Sequence, residues 1–359
     1  MAGQNYSEYA LARYNTDGAL DATFGVNGLV SVDIGGQPDE VRSVLLQPDG
    51  KILVSGQSRV NLMRDFSIAR FESNGDFDLT FGNQGKVIVS ISLVGQEYCD
   101  GMVLQPDGKI VVAGTVDLGS GNDFAVVRYN TDGTLDSTFG VGGIKVLPVT
   151  NKPDYCKSLD IQSDGKIVLG GFTEYMVDSL ETTLARILPD GSIDSTFGTA
   201  GVAHPVNTTY DFISKVMIDP DDKVLVVNRY SVFRCLNNGS LDLTFGTSGI
   251  VNHPSETIMN LKMFPDSSIV VVGIHKDPWN SSVYVSKMGP YGNILFSVIH
   301  DYGYPYDLFG YDINVLNDDK TVIMGNFDQF QGAEGVALGR YDSIGRLDRN
   351  FGVEGISKN

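Results

Sequence analysis

Apolar runs of five or six residues alternate with short polar joints along the chain, and their period is that of strands. Residues 41–46 (Val-Arg-Ser-Val-Leu-Leu) and 51–56 (Lys-Ile-Leu-Val-Ser-Gly) flank Gln47-Pro48-Asp49-Gly50. In that joint Pro presets φ, Asp bonds back to the backbone and Gly supplies a positive φ, so the two runs predict a β-hairpin. Residues 66–71 (Phe-Ser-Ile-Ala-Arg-Phe) follow, then an Asn74-Gly75 turn, a Leu79-Thr80-Phe81-Gly82 segment and a fourth run at 86–90. β-branched residues dominate the runs, and no stretch carries a sustained helical period.

The same stanza returns. The Phe of the Thr-Phe-Gly segment recurs at Phe24, Phe81, Phe139, Phe197 and Phe245, then more loosely at Phe296 and Phe351, at spacings of 57, 58, 58, 48, 51 and 55 residues. A period of this length marks an architecture in which each repeat buries its faces against its neighbours. Four antiparallel strands per repeat predict an all-β fold, a single β-propeller of four-stranded antiparallel blades over residues 1–359. First-to-second-strand hairpins begin near Val41, Cys99, Cys156, Ile213, Ile258 and Tyr311, which predicts six blades. Seven is the alternative, because segments of the Thr-Phe-Gly type number seven. The repeats fall at 41–90, 98–147, 155–206, 211–252, 257–299 and 310–356, with a half-repeat at 8–34. An open ring would leave a sheet edge unpaired. Pairing of the two termini is therefore expected to close it, residues 8–34 completing the sheet formed by residues 310–343.

The wording of the repeat resembles one family. Residues 104–114 (Leu-Gln-Pro-Asp-Gly-Lys-Ile-Val-Val-Ala-Gly) and 12–25 (Ala-Arg-Tyr-Asn-Thr-Asp-Gly-Ala-Leu-Asp-Ala-Thr-Phe-Gly) are similar to the delta-60 repeat family of bacterial proteins. The likeness runs over residues 8–352, sharp through Gly201 and weaker beyond. It implies a β-propeller, often within large surface or secreted proteins, and brings no catalytic motif with it.

Charge narrows the partners. Net charge is −18 and the sequence pI about 4.5, whereas a nucleic-acid face needs clustered Lys and Arg. Nucleic acid and an anionic membrane surface are both disfavoured, and no run is long enough to insert as a transmembrane helix. The first residues, Met1-Ala2-Gly3-Gln4-Asn5-Tyr6, carry no secretory signal. The family resemblance suggests an extracellular or cell-surface setting, and a virion or other assembly also fits. Cys99, Cys156 and Cys235 form no disulfide framework. Cys99 and Cys156 fall at equivalent repeat positions and read as small buried hydrophobes.

Repetition also separates structural positions from free ones. In a blade of this topology the first–second and third–fourth connections emerge at one end, and the second–third and fourth–first loops at the other. The first end is nearly constant: Pro48-Asp49-Gly50, Pro106-Asp107-Gly108, Ser163-Asp164-Gly165. The loops of the second end differ in every repeat, so binding chemistry would be installed there. Those loops are aromatic, with Tyr98, Tyr155, Tyr175, Tyr210, Trp279, Tyr302, Tyr304, Tyr306, Phe309 and Phe330. Two stretches break the stanza most, His275-Lys276-Asp277-Pro278-Trp279-Asn280 and His300-Asp301-Tyr302-Gly303-Tyr304-Pro305-Tyr306-Asp307. Trp and Tyr beside Asp and Asn can stack on sugar rings or anchor a protein, and they can equally cover blade edges under long loops. The candidate ligand-binding residues are Tyr175, His275, Asp277, Trp279, Asn280, Asp301, Tyr302, Tyr304, Tyr306 and Phe330.

Other constellations read as structural. Arg13, Arg70, Arg128, Arg186, Arg234 and Arg340 are each followed eight residues later by Asp21, Asp78, Asp136, Asp194, Asp242 and Asp348. In the fifth repeat Lys287 and Leu295 replace both members together, the mark of a guanidinium–carboxylate clamp. Turns such as Asn130-Thr131-Asp132-Gly133 have oxygen spacing reminiscent of calcium loops but lack the closing Glu, so no cofactor is expected, with calcium the one left open. His204, His253, His275 and His300 show no metal-ligand spacing, and no nucleophile elbow or phosphate loop is present. These readings converge on a non-enzymatic recognition or scaffold propeller that binds a protein or glycan through its variable loops, in adhesion or in a structural assembly. The alternative is a carbohydrate-active enzyme, a glycoside hydrolase or lyase with Asp277, Asp301 or Asp307 as acid and base.

Overall fold

Strand formation follows the apolar runs. In the second blade the strands are Glu97–Leu104, Ile110–Asp117, Asn122–Tyr129 and Ile144–Leu147, each antiparallel to the next. The two middle strands are buried along nearly their whole length, because neighbouring blades cover both of their faces, whereas the first strand mixes buried and part-exposed positions. A computed structural model describes residues 2–5, 8–36, 38–176, 179–206, 213–277, 281–301, 306–329 and 333–358. Among them there is no helix, and six four-stranded antiparallel sheets keep chain order across the sheet. The fold is an all-β propeller of six such blades. They span residues 39–89, 97–147, 154–203, 213–252, 256–300 and 306–358.

Each first strand carries a bulge at the same place, between Val41 and Ser43, Cys99 and Gly101, Cys156 and Ser158, Ile213 and Lys215, Ile258 and Asn260, and Gly310 and Asp312. A bulge inserts one unpaired residue and bends the strand. It demands close approach from the partner: a Cβ on Gly114 would lie 1.8 Å from the Tyr98 carbonyl oxygen. The three cysteines are free and buried, as small apolar side chains beside these bulges or in the third strand.

The strands near the two ends of the chain pair differently from the expectation. Residues 8–34 do not complete the sheet of residues 310–343. Glu8–Ala12 pairs with Ala2–Asn5 on one side and Leu29–Val32 on the other, forming a separate three-stranded sheet. The last blade takes its fourth strand from Ile356–Lys358, which pairs with Ala337–Gly339, so it has no vacancy to fill.

Contacts divide the chain into two compact units. The first holds residues 1–14 and 20–210, that is, the three-stranded sheet and blades one to three; the second holds residues 15–19 and 211–359. In the first unit Phe66, Ile68, Phe81, Cys99, Met102, Val112 and Tyr129 form a buried cluster between blades. In the second, Leu225, Val227, Phe245, Ile258, Val271 and Met288 do the same. Within the second unit the 15–19 turn packs on the last blade: Gly352 N–H donates to the Asp17 carbonyl at 2.6 Å, and Arg340 Nη1 donates to the Thr16 carbonyl.

Candidate functional site

The constant end of each blade is occupied by its own bonding. In the second blade Arg128 Nε donates to Asp136 Oδ2 at 2.8 Å, and the guanidinium lies 4.6 Å over the Phe139 ring. Asp136 Oδ1 accepts from the Thr138 N–H at 3.0 Å and the Thr138 hydroxyl at 2.6 Å. Arg128 Nη1 then reaches the Pro189 carbonyl of the next blade, and Gly140 N–H donates to Asp190 O at 2.9 Å. The pairs Arg13–Asp21, Arg70–Asp78, Arg186–Asp194, Arg234–Asp242 and Arg340–Asp348 close at 2.7–2.9 Å with the same atoms. Packing explains the turn glycine: at φ +86°, a Cβ on Gly133 would press on Gly82 N at 2.9 Å and on the Phe81 ring.

A third member joins this clamp. Lys51, Lys109, Lys223 and Lys320, the residues after each turn, place Nζ 2.7–3.0 Å from Asp78, Asp136, Asp242 and Asp348. Burial pushes the Asp78, Asp136 and Asp242 carboxyls up, but the Lys, Thr and Arg donors more than offset it and hold them well below the usual carboxylate range. The signal was in the sequence, since Ser268 replaces the lysine in the one repeat that also loses Arg and Asp. There Lys287 Nζ sits 3.8 Å over the Phe264 ring instead.

The variable end is organised by a second repeated group. First strands open on a buried carboxylate at Asp39, Glu97, Asp154 and Glu256. Asp39 accepts the Ile34 N–H at 2.7 Å, Glu97 those of Ile91 at 2.5 Å and Ser92 at 2.7 Å, and Asp154 that of Thr150 at 2.7 Å. Asp39, Glu97 and Asp154 thus pin the loops that precede them, whereas Glu256 holds His275. Burial pushes Glu97 up to about 7, and burial raises Asp39 and Glu256 as well. Sequence reading missed this position, although an acidic residue stands twelve places before Lys51, Lys109, Lys166 and Lys223.

Next to these carboxylates lies a tract of aromatic and charged side chains in the first compact unit. The first strands Asp39–Leu46, Glu97–Leu104 and Asp154–Ile161 lie side by side. Tyr98 sits beneath the Arg64 guanidinium at 5.4 Å. Tyr155, at the equivalent place one blade on, stacks on Phe172 with centroids 4.8 Å apart, and its hydroxyl donates to Glu174 at 3.2 Å. Glu40 holds Arg42 at 2.8 Å and Gln57 at 2.7 Å, and Lys157 pairs with Asp100 at 3.2 Å. Tyr175 is exposed in the same unit, its hydroxyl bonded to Glu181.

In the second unit, His275 is bracketed by two carboxylates: Nδ1 is 3.0 Å from Glu256 and Nε2 is 3.2 Å from Asp277. Desolvation alone would lower this imidazole, but the two carboxylates outweigh it and raise its pKa. Asp277, a candidate acid or base, is engaged in this bridge. Asp301 follows the strand Ile294–His300 and is exposed. Tyr306 opens the strand Tyr306–Val315, its side chain outside the described set, as is that of Asp307. Trp279, Asn280, Tyr302, Tyr304 and Phe330 lie outside the described residues, as does Tyr210. No group of three or more His, Cys, Asp or Glu side chains converges as metal ligands among the described residues, and no helix long and apolar enough to cross a membrane is found among them.

Comparison with known proteins supports the fold. A family model described as a domain of unknown function (DUF5122) beta-propeller matches residues 2–24, 47–81, 105–139 and 162–197. The chain resembles that propeller repeat. No protein of curated function matches it in sequence. Among solved structures, a protein of unknown function from Dyadobacter fermentans aligns at a TM-score of 0.50 and 10% identity, covering 86% of this chain and 96% of that one. An ulvan lyase of the PL25 polysaccharide lyases aligns at 0.51 and 12%, covering 85% and 81%. A post-proline cleaving enzyme from Rickettsia typhi aligns at 0.50 and 10%, covering 97% of this chain but 52% of the enzyme. At such identities the likeness concerns the fold alone.

Proposed function

We propose that this chain is a recognition or scaffold β-propeller, of the delta-60 repeat kind, that holds a protein or glycan through its variable loop end without transforming it. One contrast carries the reading. At the constant end the clamp Arg, Asp, Lys and Thr side chains are engaged in intra-blade and inter-blade bonds, whereas the variable end presents Tyr98, Tyr155 and Tyr175 beside Arg64, Glu174 and Glu181. Aromatic rings whose orientation is already set by stacking and hydroxyl bonds lose little freedom on binding. An extracellular or surface setting suits that role.

The expected contacts are the Tyr98–Tyr155 tract together with the loops around Trp279, Tyr302, Tyr304 and Tyr306. Removing Tyr98 and Tyr155 together by alanine substitution should weaken capture of a bound glycan or protein by about tenfold or more, about 1.4 kcal/mol or above. The double variant Asp49→Ala with Asp107→Ala at the constant end should leave it unchanged. Surface-plasmon titration of the three proteins against the same immobilised ligand measures this. Equal weakening by both pairs would place recognition elsewhere.

The second reading, a carbohydrate-active enzyme, is favoured by the Glu256–His275–Asp277 bridge, a titratable group set among carboxylates at a loop base. An assay for new reducing ends, run on every glycan the protein retains, separates the two. Release abolished by Asp277→Asn would favour the enzyme.

A further inference from the structure

The fifth blade departs from the others at its outer edge, and the departure opens a groove. In the first, second, fourth and sixth blades the third and fourth strands are joined through a Phe-Gly segment whose Gly N–H bonds the turn that follows, as Gly82 does to Asp132 at 2.7 Å. In the fifth blade a tight turn, closed by Gly292 N–H to Gly289 O, leads straight into the seven-residue strand Ile294–His300. Phe296 still packs where Gly345 of the sixth blade would place a Cβ, 2.5 Å away. The Gly-to-turn bond is gone, and His300 Nε2 donates to Gly345 O at 3.1 Å in its stead. The space left is a groove of about 600 Å³ lined by Val298, Ile299, His300, Gly345, Arg346, Leu347, Arg349 and Glu354. That volume lies within the range of small-molecule sites, roughly 300–1,000 Å³.

Its two arginines are not required by the repeat. The place of Arg346 is taken by Ala19, Asp76, Thr134, Ser192 and Ser240 in other repeats, and that of Arg349 by Ala22, Leu79, Ser137, Ser195 and Leu243. Both are exposed, and neither guanidinium forms an ion pair among the described residues, not even with Glu354 in the same groove. Two guanidiniums without an ion pair among the described residues, lining one groove, stand out on a chain of net charge −18. Because a carbonyl oxygen only accepts, His300 carries its proton on Nε2 and offers Nδ1 as an acceptor; the ring is held by packing on Tyr341 at 4.7 Å. Ile299, 47% exposed, and Leu347 add apolar surface.

We propose that this groove binds an acidic sugar unit, a uronate or a sugar sulfate, within an oligosaccharide. The oxyanion would take the Arg346 and Arg349 donors, a sugar hydroxyl would donate to His300 Nδ1, and the apolar face of the ring would lie on Ile299 and Leu347. A simple anion satisfies only the first of these, and a neutral sugar only the other two. The site is separate from the variable loop end and stands whether or not that end is the main recognition surface.

Calorimetric titration of the intact chain with tetragalacturonate, a sulfated galactan tetrasaccharide, neutral galactotetraose, acetate and a short polyglutamate peptide tests it. The expected result is binding of at least one acidic tetrasaccharide, tenfold or more tighter than neutral galactotetraose, acetate or the peptide. Arg346→Ala with Arg349→Ala should weaken it about tenfold or more. Ile299→Asp, which keeps both arginines but brings a negative charge into the groove, should weaken it likewise, and Tyr98→Ala with Tyr155→Ala should not. No binding of either acidic tetrasaccharide, equal binding of acetate or the peptide, or undiminished binding by the arginine double variant with native melting would overturn the proposal.

Discussion

Asp136→Ala should destabilise the protein by about 3–5 kcal/mol, because it strands the buried Arg128 guanidinium and takes from part-buried Lys109 its closer partner. Arg128 and Lys109 both point Nε or Nζ at Asp136 Oδ2, and the Arg128 and Asp136 side chains are 7% and 5% exposed. Arg128 has no other carboxylate in an ion pair among the described residues, Lys109 keeps only Asp107 at 3.8 Å, and the Thr138 hydroxyl and N–H lose their acceptor in the same step. The loss should also reach the next blade, since Arg128 is the group that bonds the Pro189 carbonyl. Urea denaturation of the variant should show a midpoint well below that of the unsubstituted chain. By contrast Asp107→Ala, in an exposed turn on the same hairpin, should cost about 1 kcal/mol or less. Equal midpoints for Asp136→Ala and Asp107→Ala would show the clamp to be peripheral to stability.

The pH dependence should be unusual, and Glu97 sets its direction. Its carboxyl is fully buried between the Ile91 and Ser92 N–H groups and the nearby Asp65 carboxylate, and burial lifts it from 4.5 to about 7. A folded-state value above the unfolded one means the folded chain binds the extra proton between those limits. Stability from this group is therefore complete below about 4.5 and lost as pH rises towards 7, an effect of about 3 kcal/mol. Asp39 and Asp65, raised by burial too, act in the same sense. The clamp carboxylates act oppositely: Asp78, Asp136 and Asp242 are lowered, so their contribution is present above about pH 4 and lost as pH falls. Maximal stability should fall near pH 5. Denaturation midpoints at pH 5 and pH 8 should drop for the unsubstituted chain and drop much less for Glu97→Gln, which keeps an acceptor oxygen without the charge. Identical pH slopes for the two proteins would contradict this.

Much of the architecture was legible because repetition displays its own rules. Gly, Asp and Pro recur wherever a turn needs them, and the eight-residue Arg–Asp spacing corresponds to one guanidinium reaching across the third-to-fourth connection at 2.7–2.9 Å. Positions whose role depends on the bulge were not legible. Asp39, Glu97, Asp154 and Glu256 precede the apolar runs that mark the first strands, yet the strands open on them and they are buried. The lysine of the clamp carries no such local signal, since its target lies beyond the third strand, and only its joint loss with Arg and Asp in the fifth repeat marks it. Terminal pairing failed on a simpler ground: Ala2–Asn5 and Ile356–Lys358 are too short and too polar to announce themselves as strands, but each supplies a missing partner. In the fifth blade, the joint loss of Arg and Asp was visible, whereas the groove it accompanies depends on how the shortened connection leaves the outer strand.

The central claim is that the main recognition surface lies at the variable end and that the Pro-Asp-Gly turns and Arg–Asp–Lys clamps of the constant end serve the fold. Its most direct test is a single array of glycans and displayed peptides probed with the unsubstituted chain, with Tyr98→Ala/Tyr155→Ala and with Asp49→Ala/Asp107→Ala. For ligands other than acidic oligosaccharides, the account predicts retention by the first and third proteins, loss by the second, and recovery chemically unchanged. Loss confined to the Asp49/Asp107 variant, or equal loss from both, would contradict it.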